Sequence, residues 1–400
     1  MRIIYIISNA SLNPNKNTGY ARHIQATIFG LKELGHEIEI WHRTKGRISL
    51  DEQKYTHENP AENGGLIKRA LKWIVPEVLW ESFKDFLYLR GEGEFVNRVR
   101  KGSQYSNPDL IYERSSYLST SGLKLAKSYG VPFTLEVNSP FAEQRRKLSG
   151  RSWFHDRGVA IEKMNAREAD AVFTVSGALK DFLIKSFEVN PNKVLSNPNG
   201  VSMPTHELKK INRSDLFSKN PTFTIIGFVG SIMPYHGLEL LIEAFNSALR
   251  LKADLYLLIV GDGSQTRELK ARCQQLGIEA NVLFTGSIPQ EDVFSYIDEM
   301  DICVMPNSNW YGSPIKIFEY ALRGKAVIAP DVSPVREVME GELDGLIVQP
   351  NVQSLCESIL KLVRNPEMRD KLGMSFRKKV LESYTWKENT LRINQVIGSL

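Results

Sequence analysis

The sequence predicts an α/β protein made of two Rossmann-like, doubly wound parallel-sheet domains facing each other across a cleft. Three observations carry this. Short apolar runs alternate with helix-length amphipathic runs, in two successive series. Glycines at Gly35, Gly130 and Gly324 stop the helical runs. A polar tract without periodicity, residues 206–220, separates the two series. A chain of 400 residues is too long for one ordinary core, and its 42% apolar and 24% charged shares are those of a globular protein.

The first series opens with the apolar run Arg2–Ser8, read as a strand. A polar loop leads to the helical stretch Gly19–Leu34, and Glu37–Trp41 is the next strand. Such a βαβ unit makes its strands parallel. Asp109–Tyr112, Pro132–Val137, Asp170–Ser176 and Val194–Leu195 follow as strands, with helices over Leu118–Tyr129 and from Ala178. The second series has strands at Thr224–Val229, Leu255–Val260, Val282–Thr285, Ile302–Met305, Ala326–Ala329 and Leu346–Val348. Its helices are Leu238–Leu249, a stretch ending at Leu276, Gln290–Glu299, a helix closed by Gly324, Val352–Val363 and Glu367–Ser383. The domains are therefore placed at 1–205 and 221–384, with 385–400 crossing back to the first.

One tract breaks the alternation. Within Leu66–Arg100, apolar residues such as Trp73, Trp80, Phe83, Phe86 and Leu87 are interleaved with charges. This is a helical insertion packed on its own domain, or an amphipathic surface for a membrane or acceptor.

Composition narrows the function. Cys273, Cys303 and Cys356 are far apart and have no metal-ligand spacing, so a reducing compartment without structural metal is expected. No apolar run approaches the ~18 residues of a membrane span. Met1–Ser8 reads as a strand and not as a signal peptide. The expected location is the cytoplasm, with a membrane surface as an option. A net charge of +5 suits anionic small molecules or an anionic surface and is too weak to argue nucleic acid.

The chemistry concentrates in Tyr311–Gly324. Ser313 is expected to cap a helix and Pro314 to occupy its first turn. Ile315, Phe318 and Leu322 would pack on the sheet, leaving Lys316, Glu319, Tyr320 and Arg323 on the other face. A helix start beside Lys316 favours a phosphate, and Glu319 can accept hydrogen bonds from a ribose diol. A Lys–Glu pair on a surface helix would give the same pattern. Gly227–Ser231, ending a strand ahead of His236-Gly237, and Gly261-Asp-Gly263 are further turns that let backbone approach a ligand. Neither is a complete dinucleotide fingerprint.

In order, the Gly19 loop, Val175-Ser176, Pro198–Val201, Gly227–Gly230, Gly261–Gly263, Val282–Gly286, Asp301–Pro306, Gly312–Ala321 and Gly324–Val327 resemble family 4 of the nucleotide-sugar glycosyltransferases (glycosyl transferases group 1), which have the GT-B fold. The resemblance spans nearly the whole chain and is loosest over residues 43–108. It implies a retaining, metal-independent transfer of a sugar from a nucleoside-diphosphate sugar to a saccharide or lipid-linked acceptor, in polysaccharide or glycoconjugate biosynthesis, with no cofactor. The donor would sit on the second domain and the acceptor on the first. Glu319 would bind the donor ribose. Gly312, Ser313, Pro314 and Ile315 would contact donor sugar and phosphates. Gly286 to Ile288 would hold the base, and Gly19, Gly230 and Gly261 would lie beside the donor.

This sequence departs from the family at three places. Tyr311 replaces the first of two glutamates often found eight residues apart. Ser231 and His236 stand where an Arg and a Lys often bind the diphosphate. Asn138 stands where a strand-end His is frequent, with His155 as the nearest alternative. Leaving-group stabilisation therefore moves to Lys316, assisted by His236, and the catalytic pair is Lys316 and Glu319. The alternatives are a non-catalytic sugar-nucleotide-binding subunit and a nicotinamide-dependent oxidoreductase.

Overall fold

Arg2–Ile7 (β1) is apolar at every position after Arg2, as a parallel strand buried on both faces requires. The computed structural model describes residues 1–15, 18–50, 75–204, 207–217, 223–252 and 254–400. They divide into two compact units, Met1–Pro198 with Asn389–Leu400, and Asn199–Glu388.

In the first unit β1 is joined by β2 (Glu37–His42), β3 (Gly46–Ile48), β4 (Leu110–Arg114), β5 (Phe133–Val137), β6 (Ala171–Thr174) and β7 (Val194–Ser196). Their order is β3-β2-β1-β4-β5-β6-β7, and only β3 runs antiparallel. The helices are α1 (Gly19–Glu33), α2 (Glu77–Arg90), α3 (Glu92–Gly102), α4 (Ser121–Tyr129), α5 (Phe141–Ser149), α6 (His155–Glu168) and α7 (Gly177–Phe187). Thr18 caps α1 by accepting from the Ala21 N–H, and Ser176 caps α7 through Leu179. The strand at Gly46–Ile48 and the helices α5 and α6 add to the expected elements. Helix α4 begins at Ser121, because Leu118 has φ 62 and cannot continue a right-handed helix.

The described part of the Leu66–Arg100 tract is the helix pair α2–α3; residues 66–74 lie outside the described residues. Helix α3 packs on its own unit, with Phe95 and Val99 fully buried. Its Glu92 carboxylate accepts from the Thr120 and Ser121 hydroxyls, each at 3.0 Å.

In the second unit the strands are β8 (Thr224–Val229), β9 (Leu255–Val260), β10 (Val282–Phe284), β11 (Ile302–Val304), β12 (Ala326–Pro330) and β13 (Leu346–Val348). They form an all-parallel sheet of order β10-β9-β8-β11-β12-β13. Helices α8 (Arg213–Leu216), α9 (Leu238–Leu251), α10 (Thr266–Leu276), α11 (Val293–Asp298), α12 (Ile315–Leu322), α13 (Ser333–Val338), α14 (Val352–Arg364) and α15 (Pro366–Ser383) follow in chain order. Leu238, Leu241 and Phe245 of α9 share one core layer with α14; Ile317 and Phe318 of α12 share the other with Phe376 and Val380 of α15. The helices after β8 and β11 thus cover opposite faces, which makes the gap between these two strands the topological switch point. Phe217 belongs to this unit's core, and Arg213 pairs with Asp301 at 2.8 Å, so the described part of the polar tract is tied to the second unit.

A last helix, α16 (Trp386–Ile397), starts in the second unit and ends in the first. There Ile393 and Ile397 pack with Ile24, Ile28 and Leu31 of α1. Asn389 donates to Pro198 O at 2.7 Å. Each such isoleucine contributes about 1.5–3 kcal/mol by its burial.

Candidate functional site

The residues expected to hold a donor converge within the second unit, at the carboxyl ends of β8 and β11. Beyond β8, Gly230 has φ 136 and Gly237 φ 65, conformations that disfavour a side chain. Between them a 3₁₀ turn, Pro234–His236, turns the imidazole back over the strand end. Beyond β11, the loop through Gly312 and Ser313 feeds α12. An added Cβ at Gly312 would meet nothing within 4 Å, so this backbone borders open space.

Lys316, in the first turn of α12, reaches toward β8. Its Nζ lies 3.1 Å from His236 Nδ1 and 3.2 Å from Nε2, and 4.4 Å from the centroid of the Phe228 ring. A Cβ added at Gly230 would come within 3.3 Å of that Nζ. Burial lowers the Lys316 pKa to about 7, with Glu319 working against the shift. Burial, and then the Lys316 charge, lower His236 to about 3. The ring is therefore neutral at pH 7 and accepts from the ammonium. Glu319 is 4% exposed, one turn along the helix.

Around this core the turns interlock through backbone. Gly261, φ 131, donates to Gly286 O at 3.1 Å, and a Cβ on it would lie 2.1 Å from Gly230 O. Gly230 in turn donates to Val260 O at 2.9 Å. Gly230, His236, Gly261, Gly286 and Lys316 are thus linked in a single arrangement. Ile288 packs on the α12 side of the core, and Ser231 is exposed beside them.

Three expectations about α12 are corrected. Ser313 does not cap the helix: its Oγ accepts from Asn199 N at 2.9 Å, and Pro314 is the cap residue instead of lying in the first turn. The helix has no polar face beyond Lys316 and the buried Glu319. Ile317, Phe318, Tyr320, Ala321 and Leu322 are all at most 1% exposed, because α15 covers the side away from the sheet and Phe318 stacks on Tyr384 at 5.0 Å. Ile315 is only half-buried. Tyr320 is a core residue whose hydroxyl accepts from Val229 N at 2.8 Å, and Arg323 is held by Asp298 through two bonds of 2.6 Å.

In the first unit, Asn138 follows β5 and donates to Glu136 Oε1 at 2.8 Å. The same oxygen accepts from Arg114 and lies 3.4 Å from His23 Nε2, while Tyr112 donates to Glu136 Oε2 at 2.9 Å. Burial lowers His23 to about 4, so its ring is neutral. This network was not anticipated; its signal is the Glu and Arg that interrupt the buried runs Leu110–Arg114 and Phe133–Val137. His155 opens α6, and Gly19 is the exposed first residue of α1. Among the described residues no helix is long and apolar enough to cross a membrane.

Comparison with known proteins completes the description. Residues 211–379 match the family Glycosyl transferases group 1, and residues 17–203 match Glycosyltransferase Family 4. An uncharacterized glycosyltransferase of Methanocaldococcus jannaschii is 26% identical, the alignment covering 92% of this chain and 91% of the relative. The UDP-Gal:alpha-D-GlcNAc-diphosphoundecaprenol alpha-1,3-galactosyltransferase of Escherichia coli is 23% identical over 69% of this chain and 71% of its own. Anabaena HepE, solved in complex with UDP, superposes with a TM-score of 0.70 at 15% identity, over 100% of both chains.

Proposed function

The chain belongs to the glycosyl transferases group 1, with a family 4 first half, and on that premise we propose that it moves a sugar from a nucleoside-diphosphate sugar to an acceptor hydroxyl with retention of anomeric configuration. The observation that carries the reading is the Lys316–His236 contact beside Gly230, with Glu319 one turn along the same helix.

The acceptor hydroxyl attacks the anomeric carbon on the face the diphosphate leaves. The C–O bond to the acceptor forms as the bond to the phosphate oxygen breaks, and that oxygen takes the hydroxyl proton. Lys316 meets the charge that develops on the phosphate. Glu319 accepts from the ribose diol and so fixes the donor's position. Gly312 to Ile315 contact sugar and phosphates through backbone, and the turn at Gly286 to Ile288 borders the base. In the first unit Asn138, aimed by Glu136, binds an acceptor hydroxyl. The transfer requires no metal and no cofactor.

The acceptor is a saccharide or a lipid-linked saccharide, and the work is done in the cytoplasm or at its membrane surface, in polysaccharide or glycoconjugate biosynthesis. The relative that acts on a diphosphoundecaprenol-linked acceptor supports the lipid-linked form. A thermal-shift screen of nucleoside diphosphates and their sugars tests the donor reading. A ligand at a hundred times its dissociation constant adds about 2.7 kcal/mol of stability. No shift with any of them would sink it.

A further inference from the structure

Helix α2 is inside out. Its polar residues Glu81, Ser82 and Asp85 are 3–4% exposed, whereas Leu79, Phe83, Phe86 and Leu87 are 42–55% exposed. A helix on a water-facing surface ordinarily does the reverse. The inversion is fixed from beneath: Arg145 of α5 pairs with Glu81 at 2.5 Å and with Asp85 at 3.2 Å, and Trp153 N donates to Ser82 Oγ at 2.9 Å. Buried carboxylates persist only when paired in this way, so the pairing holds the apolar side outward.

The surroundings continue the pattern. Leu148 of α5 and Trp153 just after it are both 72% exposed. Arg145 and Lys84 together neutralise Glu81 and Asp85, and the remaining exposed charge of this strip is mainly cationic. Lys147 pairs with Glu143, and Arg90, Arg146 and Arg151 stand out against Glu77 and Asp156. Exposed aromatic and leucine side chains bordered by Lys and Arg are what an interfacial helix carries. A second copy seated on the same patch would bring like charges together.

We infer that the outer face of α2, with Leu148 and Trp153, seats the first unit on an anionic lipid bilayer. Phe83, Phe86 and Leu87 enter the acyl boundary while Arg146 and Arg151 meet phosphate headgroups. The inference deepens the reading of a lipid-linked acceptor, on which its purpose rests: α5 begins three residues after Asn138, so the acceptor-side loop runs directly into the membrane-facing helix.

The test is sedimentation with large vesicles of phosphatidylcholine, with or without phosphatidylglycerol, in the absence of donor. Wild type should bind the anionic vesicles at least about ten-fold more tightly, and release them as salt is raised. Phe83→Ser with Phe86→Ser, and separately Arg146→Glu with Arg151→Glu, should each weaken binding about ten-fold or more. These side chains are exposed, so melting temperature and the donor-induced thermal shift should stay at wild-type values. Equal binding to both vesicle types, or variants that bind like wild type, would overturn the inference. So would a wild-type dimer in sedimentation velocity that the Phe83/Phe86 variant loses, which would assign the patch to a second copy. Loss of the donor shift alone would count against the transfer reading and leave this one standing.

Discussion

Lys316 Nζ sits 3.1 Å from His236 Nδ1, a cation held against a neutral ring in a half-buried corner of the second unit. Both groups are driven toward their uncharged forms, yet the lysine is the one positive charge proposed to meet the diphosphate. Burial of the lysine therefore ties donor affinity to proton uptake.

With the Lys316 pKa at about 7 before donor binds, a nucleotide sugar, whose own phosphates do not titrate near neutrality, should bind most tightly below pH 7. The charged lysine is the binding form, and deprotonation removes it, so affinity falls as pH rises, by up to about ten-fold per unit. Calorimetry in buffers of different ionisation heat should detect proton uptake at pH 8. Lys316→Ala should bind weakly at all pH values with a flat profile. A wild-type affinity constant from pH 6 to 9 would contradict this.

Lys316→Ala and Glu319→Gln should separate in kinetics. Removing the lysine takes away transition-state charge stabilisation, so kcat should fall about 10²–10³-fold. Replacing the carboxylate weakens charge-assisted hydrogen bonds to the ribose, worth about 1.5–3 kcal/mol, and should appear mainly as a raised donor KM. Steady-state rates with a donor identified by thermal shift decide it.

Gly261→Ala should be far more damaging than Gly230→Ala. At 261 the new methyl would strike the Gly230 carbonyl at 2.1 Å, a backbone atom that cannot yield. At 230 it would meet the movable end of Lys316 at 3.3 Å. Both residues carry positive φ, so both substitutions cost roughly 1–2 kcal/mol in strain. Chemical denaturation should add a further loss of about 1–3 kcal/mol for Gly261→Ala alone.

The first unit should lose stability as pH rises from about 5 to 8. Burial raises the Glu162 carboxyl to about 8, although it accepts from Ala142 N at 2.6 Å, and burial likewise raises Glu113 to about 7. Between the ordinary carboxylate pKa and these values, the folded state holds protons that the unfolded chain has released. Stability is therefore full at low pH and declines through this window, at up to about 1.4 kcal/mol per unit for each group. Glu162→Gln should flatten the slope. Unfolding followed at pH 5, 6.5 and 8 checks it.

Much of the fold was legible because buried parallel strands must be apolar throughout: Thr224–Val229 and Leu255–Val260 are strands with the bounds their composition implies. The geometry of the candidate site was legible in part. Lys316, His236, Gly230 and Gly261 do meet, because βα turns of a doubly wound sheet gather at one edge. Ser313 and Tyr320 misled for a shared reason. A serine ahead of a helix and a tyrosine on its polar side are judged by local spacing, whereas Asn199 and Val229 N–H groups, brought by distant segments, claim their oxygens. The inverted polarity of α2 was equally hidden, since it depends on Arg145, sixty-four residues from Glu81.

Helix α16 has a bearing on how the molecule is made. The α1 layer precedes the whole second unit in the chain, yet it stays incomplete until Ile393 and Ile397, which follow the second sheet, are in place. A nascent chain halted after the second sheet would still expose that apolar groove. Removing Ile393 and Ile397 would therefore be felt at α1, more than three hundred and fifty residues earlier in the chain.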